Sequence, residues 1–274
     1  MGPLAIRYFM NAAGDGPSLG RIDWEAGDFA VLATGQTIVG ELLCEAVGLR
    51  ARERVLDVAT GSGNVALAAA RRRARATGVD FVLRLLERAR ERAAVERLPI
   101  QLCVGDARRL PFLDGPFDAV LSAFGVMFVP NAELAASELR RVCRAGGRVG
   151  LASWTPNGFI GRQFDALERP PRSPGRSDAR RLWGTEEGLH QLFGSAADVR
   201  VVPRSLLLRG DSVERMVEGL RRNLGPMVQV FARLDAAQGR LLESELLDLV
   251  RQFNVAGDGT ALVPADYLEA VVRM

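Results

Sequence analysis

A short glycine turn between a buried-type apolar run and a run of helix formers narrows the fold more than any other feature of this chain. Val55-Leu56-Asp57-Val58-Ala59 reads as a strand buried on both faces, Thr60-Gly61-Ser62-Gly63 turns the backbone, and a helix opens at Asn64. Glycines let the chain turn tightly and approach a ligand closely. The helix that follows presents free N–H groups at its N-terminus. Beyond the turn the pattern alternates: strand-length apolar runs at 76–79, 100–104, 117–124 and 148–153 are separated by helical segments at 83–95 and 132–143. Ala145-Gly146-Gly147 reads as the turn into the fifth strand. Strands and helices alternating at this length predict a parallel sheet with helices on both faces.

The flanks are less regular. Residues 1–20 show no period and read as a mobile end, whereas Leu32, Val39, Leu43 and Val47 recur at helical spacing over 29–47, with Gly48 as a stop. A Pro/Ser/Gly loop lies between 169 and 176. After it come a helix at 186–193 with Thr185 as its N-cap, a strand pair or bend at 199–208, helical stretches at 213–224, 227–234 and 241–253, and a strand-like run at 267–272.

At 274 residues the chain can bury a substantial core, and 48% hydrophobic with 25% charged residues excludes a fibrous or mostly disordered protein. No apolar run reaches the ~18 residues of a spanning helix, and no secretory pattern is readable. Cys44, Cys103 and Cys143 form neither a CxxC nor a Cys/His cluster. Buried thiols, no metal site and a cytoplasmic location are therefore expected. The net charge of +3 would ordinarily raise nucleic acid as a partner, but the chain has no lysine and its arginines are interleaved with acids. The densest run, Arg71-Arg72-Arg73, falls where a helix should end and where cations suit the helix dipole.

Gly61-Ser62-Gly63-Asn64-Val65-Ala66 fits the G-x-G-x-x-G/A pattern, with Asp80 on the order of twenty residues further on, so NAD and S-adenosylmethionine both remain open at this point. Asp57 tilts the balance. An acid inside the first strand suits a cofactor with a free ammonium group, which S-adenosylmethionine has and NAD lacks. Gly105-Asp106-Ala107 ends the third strand, where a carboxylate can accept from an adenine amino group.

Together, the first-strand glycine motif, Gly78-Val79-Asp80, Gly105-Asp106-Ala107, the fourth strand ending in Ser122-Ala123, and Arg144-Ala145-Gly146-Gly147 resemble the class I S-adenosylmethionine-dependent methyltransferases. The nearest branch is that of the ubiquinone/menaquinone C-methyltransferases. Ala145 stands where the family usually has proline, and Ala59 where many members have the first glycine. The resemblance covers about residues 50–155, with the motifs in order.

It implies an α/β fold, a doubly wound Rossmann-like seven-stranded sheet of order 3-2-1-4-5-7-6 with strand 7 antiparallel. Strand six would be 199–203 and strand seven 267–272, with a helical cap inserted between them. The organisation expected is an N-terminal helical segment over the cofactor site (1–48), a cofactor-binding core (49–211), a cap over the acceptor site (212–256) and the final core strand (257–274). The resemblance places S-adenosyl-L-methionine, with S-adenosyl-L-homocysteine as product, against Asp57, Ala59, Gly61, Gly63, Asp80, Phe81, Asp106, Ala107, Ser122 and Ala123. Asp80 would take the ribose hydroxyls and Asp106 the adenine amine.

An apolar acceptor pocket is expected at the carboxyl edge, drawing on Phe29, Met127, Trp154, Phe159, Met227 and Phe231, with Trp24 and Phe29 weighed equally as a lid or as packing. His190, the only histidine, reads as a helix-packing residue, and nothing selects among Tyr8, Asp28 and Tyr267 as proton acceptor. The expected activity is methyl transfer to a small, fairly apolar molecule of secondary-metabolite type, at O, N or C. The partners expected are that acceptor, no nucleic acid and no membrane span; a homodimer is admitted, though no heptad announces one. S-adenosylmethionine binding with non-methylating chemistry is the alternative, because fold does not fix reaction. A nucleic-acid enzyme is disfavoured by Ser122-Ala123-Phe124-Gly125 in place of an N-P-P-[YFW] tetrapeptide, and an NAD-dependent oxidoreductase by Asp57 and the absence of a Tyr-x-x-x-Lys pair.

Overall fold

Arg54–Val58 (β1), Arg75–Asp80 (β2), Ile100–Val104 (β3), Phe117–Ala123 (β4), Cys143–Trp154 (β5), Asp198–Gly210 (β6) and Ala261–Arg273 (β7) form one sheet in the order β3-β2-β1-β4-β5-β7-β6. The first five strands pair in parallel, and β7 runs antiparallel to both β5 and β6. The computed structural model describes residues 24–168, 177–194 and 198–274. The N-terminal stretch with Tyr8 and the loop at 169–176 lie outside them.

Three stretches depart from the sequence expectation. First, Ala145-Gly146-Gly147 lies within β5: Phe117 pairs with Cys143 and Ala119 with Arg148, so the residues between bulge out of register. Their backbone is held instead by the chain end, Gly146 N–H donating to Met274 O at 2.8 Å and Met274 N–H to Gly147 O at 3.1 Å. Second, β6 and β7 run well past 199–203 and 267–272. β5 stops at Trp154 opposite Tyr267, while β6 and β7 stay paired to Gly210 and Ala261. A two-stranded ribbon therefore projects beyond the carboxyl edge of the parallel strands. Pro203 sits on the edge strand and Pro264 in the ribbon beyond β5, two places where a missing N–H is tolerated.

The third departure is helical. Gly35-Gln36 divides the helix expected over 29–47 into Phe29–Thr34 (α1) and Thr37–Ala46 (α2). The following helices are Asn64–Arg71 (α3), Leu83–Glu96 (α4), Ala132–Val142 (α5), Phe159–Glu168 (α6), Ser177–Trp183 (α7) and Glu186–Phe193 (α8). Thr185 caps α8 by accepting the Gly188 N–H at 3.1 Å. Val213–Asn223 (α9), Gly225–Arg233 (α10) and Ala236–Phe253 (α11) fill the connection between β6 and β7. α11 starts before the expected 241 because Asp235 and Gln238 form a capping box ahead of its apolar stripe.

The apolar residues gather in three cores. Leu43 and Cys44 of α2, with Val47 just after it, close one sheet face with α3 alanines, Val55 and Leu121. On the other face, α5 and α8 pack on Leu56, Val120, Val149 and Leu151. The third core is separate: Phe159, Phe164 and Leu167 of α6 pack with Met216, Met227, Leu242 and Leu246 of α9–α11 and with Val263 of the ribbon. Phe29 and Leu32 of α1 join this third core, so the N-terminal helices divide, α2 serving the sheet and α1 the region above its carboxyl edge. Arg71 at the end of α3 pairs with Glu41 and Glu96, and Arg72 with Glu41 and Glu45.

Candidate functional site

The turn after β1 is braced from three directions. Asp57 is buried, and its Oδ2 accepts the Thr60 hydroxyl at 2.5 Å and the Ala66 N–H at 2.9 Å, fastening the start of α3 to β1. Burial pushes its carboxyl up to about 7, against these hydrogen bonds and with a further rise from Asp80. At the end of β2, Asp80 Oδ2 accepts the Gly61 N–H at 2.8 Å and Oδ1 the Val82 N–H at 2.9 Å; burial also raises this carboxyl. From α4, Arg92 donates through Nη1 to Ser62 O at 2.7 Å and to Asn64 Oδ1 at 2.8 Å. Asn64 in turn donates to Ala33 O at 2.8 Å, linking the turn to α1. Arg92 was not singled out in the sequence, since its partners come from a different element.

The two motif glycines do different work. A Cβ on Gly61, at φ +54°, would meet nothing within 4 Å, so the protein leaves open space beside this residue. A Cβ on Gly63, at φ +88°, would meet Ala89 Cβ at 3.0 Å, so this glycine lets α3 and α4 approach. Ala59 also adopts a left-handed conformation, φ +54°, which costs an alanine about 1–2 kcal/mol. A Cβ on Gly125 would stand 2.5 Å from Ala59 Cβ, so Gly125 makes the room that the Ala59 methyl needs.

The other motif residues are distributed around this turn. Phe81 follows Asp80 and is half exposed. Asp106 accepts the Arg108 N–H at 2.8 Å and pairs with its guanidinium at 2.6 Å, while neighbouring Ala107 is buried. Ser122 is buried; its Oγ donates to Val58 O at 2.7 Å and accepts the Val126 N–H at 3.2 Å, so the structure uses it to tie β4 to β1. Ala123 pairs with Ala152 beside it.

At the carboxyl ends of β4 and β5, the Phe124 and Trp154 rings stack at 3.6 Å between centroids, and Tyr267 meets Phe124 edge-on at 5.4 Å. Trp24 joins Phe29 at 5.3 Å and Phe128 at 5.0 Å, and Phe128 reaches Phe164 at 4.8 Å. A narrow cleft of about 10 Å³, room for about one water molecule, lies here, walled by Met127, Trp154, Ile160 and Phe164, with Asp165 and Arg180 at its polar end. Of the expected pocket residues, Met127 and Trp154 line it. Phe159 and Met227 are fully buried inside the third core, and Phe231 lies under the Arg221 guanidinium at 4.4 Å. Phe29 packs against Trp24, at the start of the aromatic ladder.

Asp28 lies 3.7 Å from Arg88. His190 sits in the last turn of α8, its Nδ1 buried. Among the described residues, no group of three or more His, Cys, Asp or Glu is placed to hold a metal.

The methyltransferase-domain family matches residues 55–147. An uncharacterized protein of Mycobacterium tuberculosis is 38% identical over 240 residues, which span 85% of this chain and 87% of that protein. The chain belongs to the class I S-adenosylmethionine-dependent methyltransferases. Its methyltransferase core is also similar to the demethylmenaquinone methyltransferase of Deinococcus radiodurans, 40% identical over 115 residues, covering 40% of this chain and 48% of that enzyme. The fold is shared with phosphoethanolamine N-methyltransferase 2 of Haemonchus contortus, solved with phosphomonomethylethanolamine and S-adenosylhomocysteine, at a TM-score of 0.54 and 18% identity, covering 87% of this chain and 52% of that one. In this methyltransferase the sheet order, with β7 reversed, is the one the resemblance implies. No helix among the described residues is long and apolar enough to cross a membrane.

Proposed function

We propose that this methyltransferase moves the methyl group of S-adenosylmethionine to a small, fairly apolar acceptor bound between the glycine turn and the α9–α11 cap. The observation that carries this reading is the joined Gly61–Asp80 unit. Open space lies beside Gly61, and a carboxylate at the end of β2 is already fixed by two backbone N–H groups. Each carboxylate oxygen has a second lone pair, so Asp80 can still accept from ribose hydroxyls. Asp106 would receive the adenine amine beside Phe81 and Ala107, and Asp57 would stand toward the ammonium end, whose positive charge favours its ionised form. Ala59, Gly61 and Ala123 would keep the methionine channel narrow, with Gly63 and Ser122 holding its walls.

When bound, the cofactor supplies a methyl carbon activated by a sulfonium. The protein's share is alignment for in-line displacement and exclusion of water. The β6/β7 ribbon carries the cap past the carboxyl edge, and α1 meets the cap from the other side. Residues 212–256 with α1 act as the roof of the acceptor site, 49–211 with α2 as the cofactor core, and 257–274 as the strand that closes the sheet. A small-molecule acceptor is favoured over nucleic acid because Arg71 and Arg72 are committed to Glu41, Glu45 and Glu96.

Incubation with S-adenosylmethionine carrying a deuterated methyl group and a small-molecule extract tests this. A product that gains the labelled methyl, together with S-adenosylhomocysteine, is expected. A converted substrate without the label would favour non-methylating chemistry at the same site.

A further inference from the structure

The turn after β1 is gripped by groups of opposite charge. Asp80, at the end of β2, accepts the Gly61 N–H at 2.8 Å. From α4, Arg92 Nη1 donates to the Ser62 carbonyl at 2.7 Å, to the Ser62 hydroxyl at 3.2 Å and to Asn64 Oδ1 at 2.8 Å. The Gly63 N–H donates to Thr60 O at 2.9 Å, so the peptide unit between Ser62 and Gly63 is fixed at its oxygen and at its nitrogen. Arg92 can reach this far because Ala89, three positions earlier on the same face of α4, packs where Gly63 has no Cβ.

Arg92 is half-buried, yet it forms no ion pair among the described residues. Glu96, one turn further along α4, is taken by Arg71 at 2.6 Å. Burial, with Arg71 close by, draws the Arg92 guanidinium below the ordinary arginine range. A half-buried cation without an acid is unfavourable for a fold unless its hydrogen bonds are used. Every hydrogen bond that Arg92 makes among the described residues goes to this one turn.

We propose that Arg92 is a positioning residue for the cofactor, holding the Ser62 carbonyl on α4 so that this oxygen does not turn into the open space beside Gly61. This rests on the reading that S-adenosylmethionine occupies that space. Without a donor at position 92 the oxygen of the buried Ser62 has no partner, and a residue set between two glycines turns readily to find one. The oxygen would then stand where the cofactor must lie. Asn64 extends the same grip to the roof, since its Nδ2 donates to Ala33 O at 2.8 Å in α1.

Calorimetry with S-adenosylhomocysteine on wild type, Arg92→Met and Arg92→Lys tests this. Met keeps an unbranched stem and removes every donor, and it should weaken binding about tenfold or more. All three contacts come from one nitrogen, so the three-donor ammonium of Arg92→Lys should bring affinity back to within about threefold of wild type. In the ligand-free proteins, the carbonyl 13C resonance of Ser62 should move in Arg92→Met and much less in Arg92→Lys. Should Arg92→Met not fold, Arg92→Gln, neutral and shorter, takes its place with the same expectations. Undiminished affinity in the neutral variant, a loss in Arg92→Lys as large as in the neutral variant, or an unmoved Ser62 carbonyl overturns the inference. Failure of wild type to bind S-adenosylhomocysteine overturns the proposed function and the inference with it, whereas wild-type binding with an indifferent neutral variant overturns the inference alone.

Discussion

Asp80 Oδ2 accepts the Gly61 N–H at 2.8 Å, so the acid that ends β2 and the first glycine of the turn after β1 form one hydrogen-bonded unit. The second oxygen holds Val82 N–H at the mouth of α4, so one side chain sets the spacing between the loops that follow β1 and β2. Removing it should be felt twice. Asp80→Ala is expected to lose roughly 1–3 kcal/mol of stability from the orphaned N–H groups, and S-adenosylhomocysteine affinity by a similar amount. Urea denaturation and calorimetry on the same preparation check both. Affinity unchanged despite lost stability would make Asp80 purely a brace.

The two motif glycines should respond differently to a methyl group. Gly63→Ala must adopt φ +88° and push on Ala89, so it should destabilise the fold by about 1–3 kcal/mol. Gly61→Ala meets no protein atom and should cost the fold about 1–2 kcal/mol of backbone strain, as at Ala59. Its larger effect should be on cofactor affinity, because the methyl enters the open space. Thermal melts with and without S-adenosylhomocysteine separate these effects.

Ala59 and Gly125 should be energetically coupled. Gly125→Ala is expected to destabilise by about 1–3 kcal/mol, since its new methyl would lie 2.5 Å from that of Ala59. Ala59→Gly relieves a positive φ and should be neutral or slightly stabilising. In the double variant part of the Gly125→Ala cost should vanish, a coupling of ~0.5–3 kcal/mol in a double-mutant cycle. Strict additivity would show that the two methyl positions do not compete.

Asp57 should leave a mark on the pH dependence of stability. Its carboxyl titrates at about 7 in the folded chain because of burial, against ~3.9 when exposed. Between these values the folded state holds a proton that the unfolded state releases. The stability this group contributes is therefore full below ~3.9 and is lost as pH rises through about 7. Asp57→Asn, neutral at every pH, should compare more favourably with wild type at pH 8 than at pH 5. Urea unfolding at the two pH values checks this, and a difference independent of pH would contradict the raised carboxyl.

Much of the parallel core was legible because each strand there is an apolar run bounded by a glycine turn. Residues 100–104 were read to the residue, and Gly61, Asp80 and Asp106 all lie at strand ends around the same edge. What stayed hidden depends on partners distant in sequence. The projection of β6 and β7 is set by where β5 stops, and prolines at 203 and 264 disguise it. The roles of Arg92 and Ser122 lie in hydrogen bonds to other elements. Met227 and Phe159 carry the apolar character of pocket residues, but α6 and the cap close over them. Asp165 and Arg180 sit on two different helices, so no local motif announces their meeting.

Whether the Gly61–Asp80 turn binds S-adenosylmethionine is decided by titrating the wild-type protein with S-adenosylhomocysteine and with NADH in parallel. Saturable binding of S-adenosylhomocysteine, none of NADH, and loss of the former in a folded Gly61→Val variant are expected. Binding of NADH in place of S-adenosylhomocysteine, or undiminished S-adenosylhomocysteine binding by Gly61→Val, would contradict that assignment.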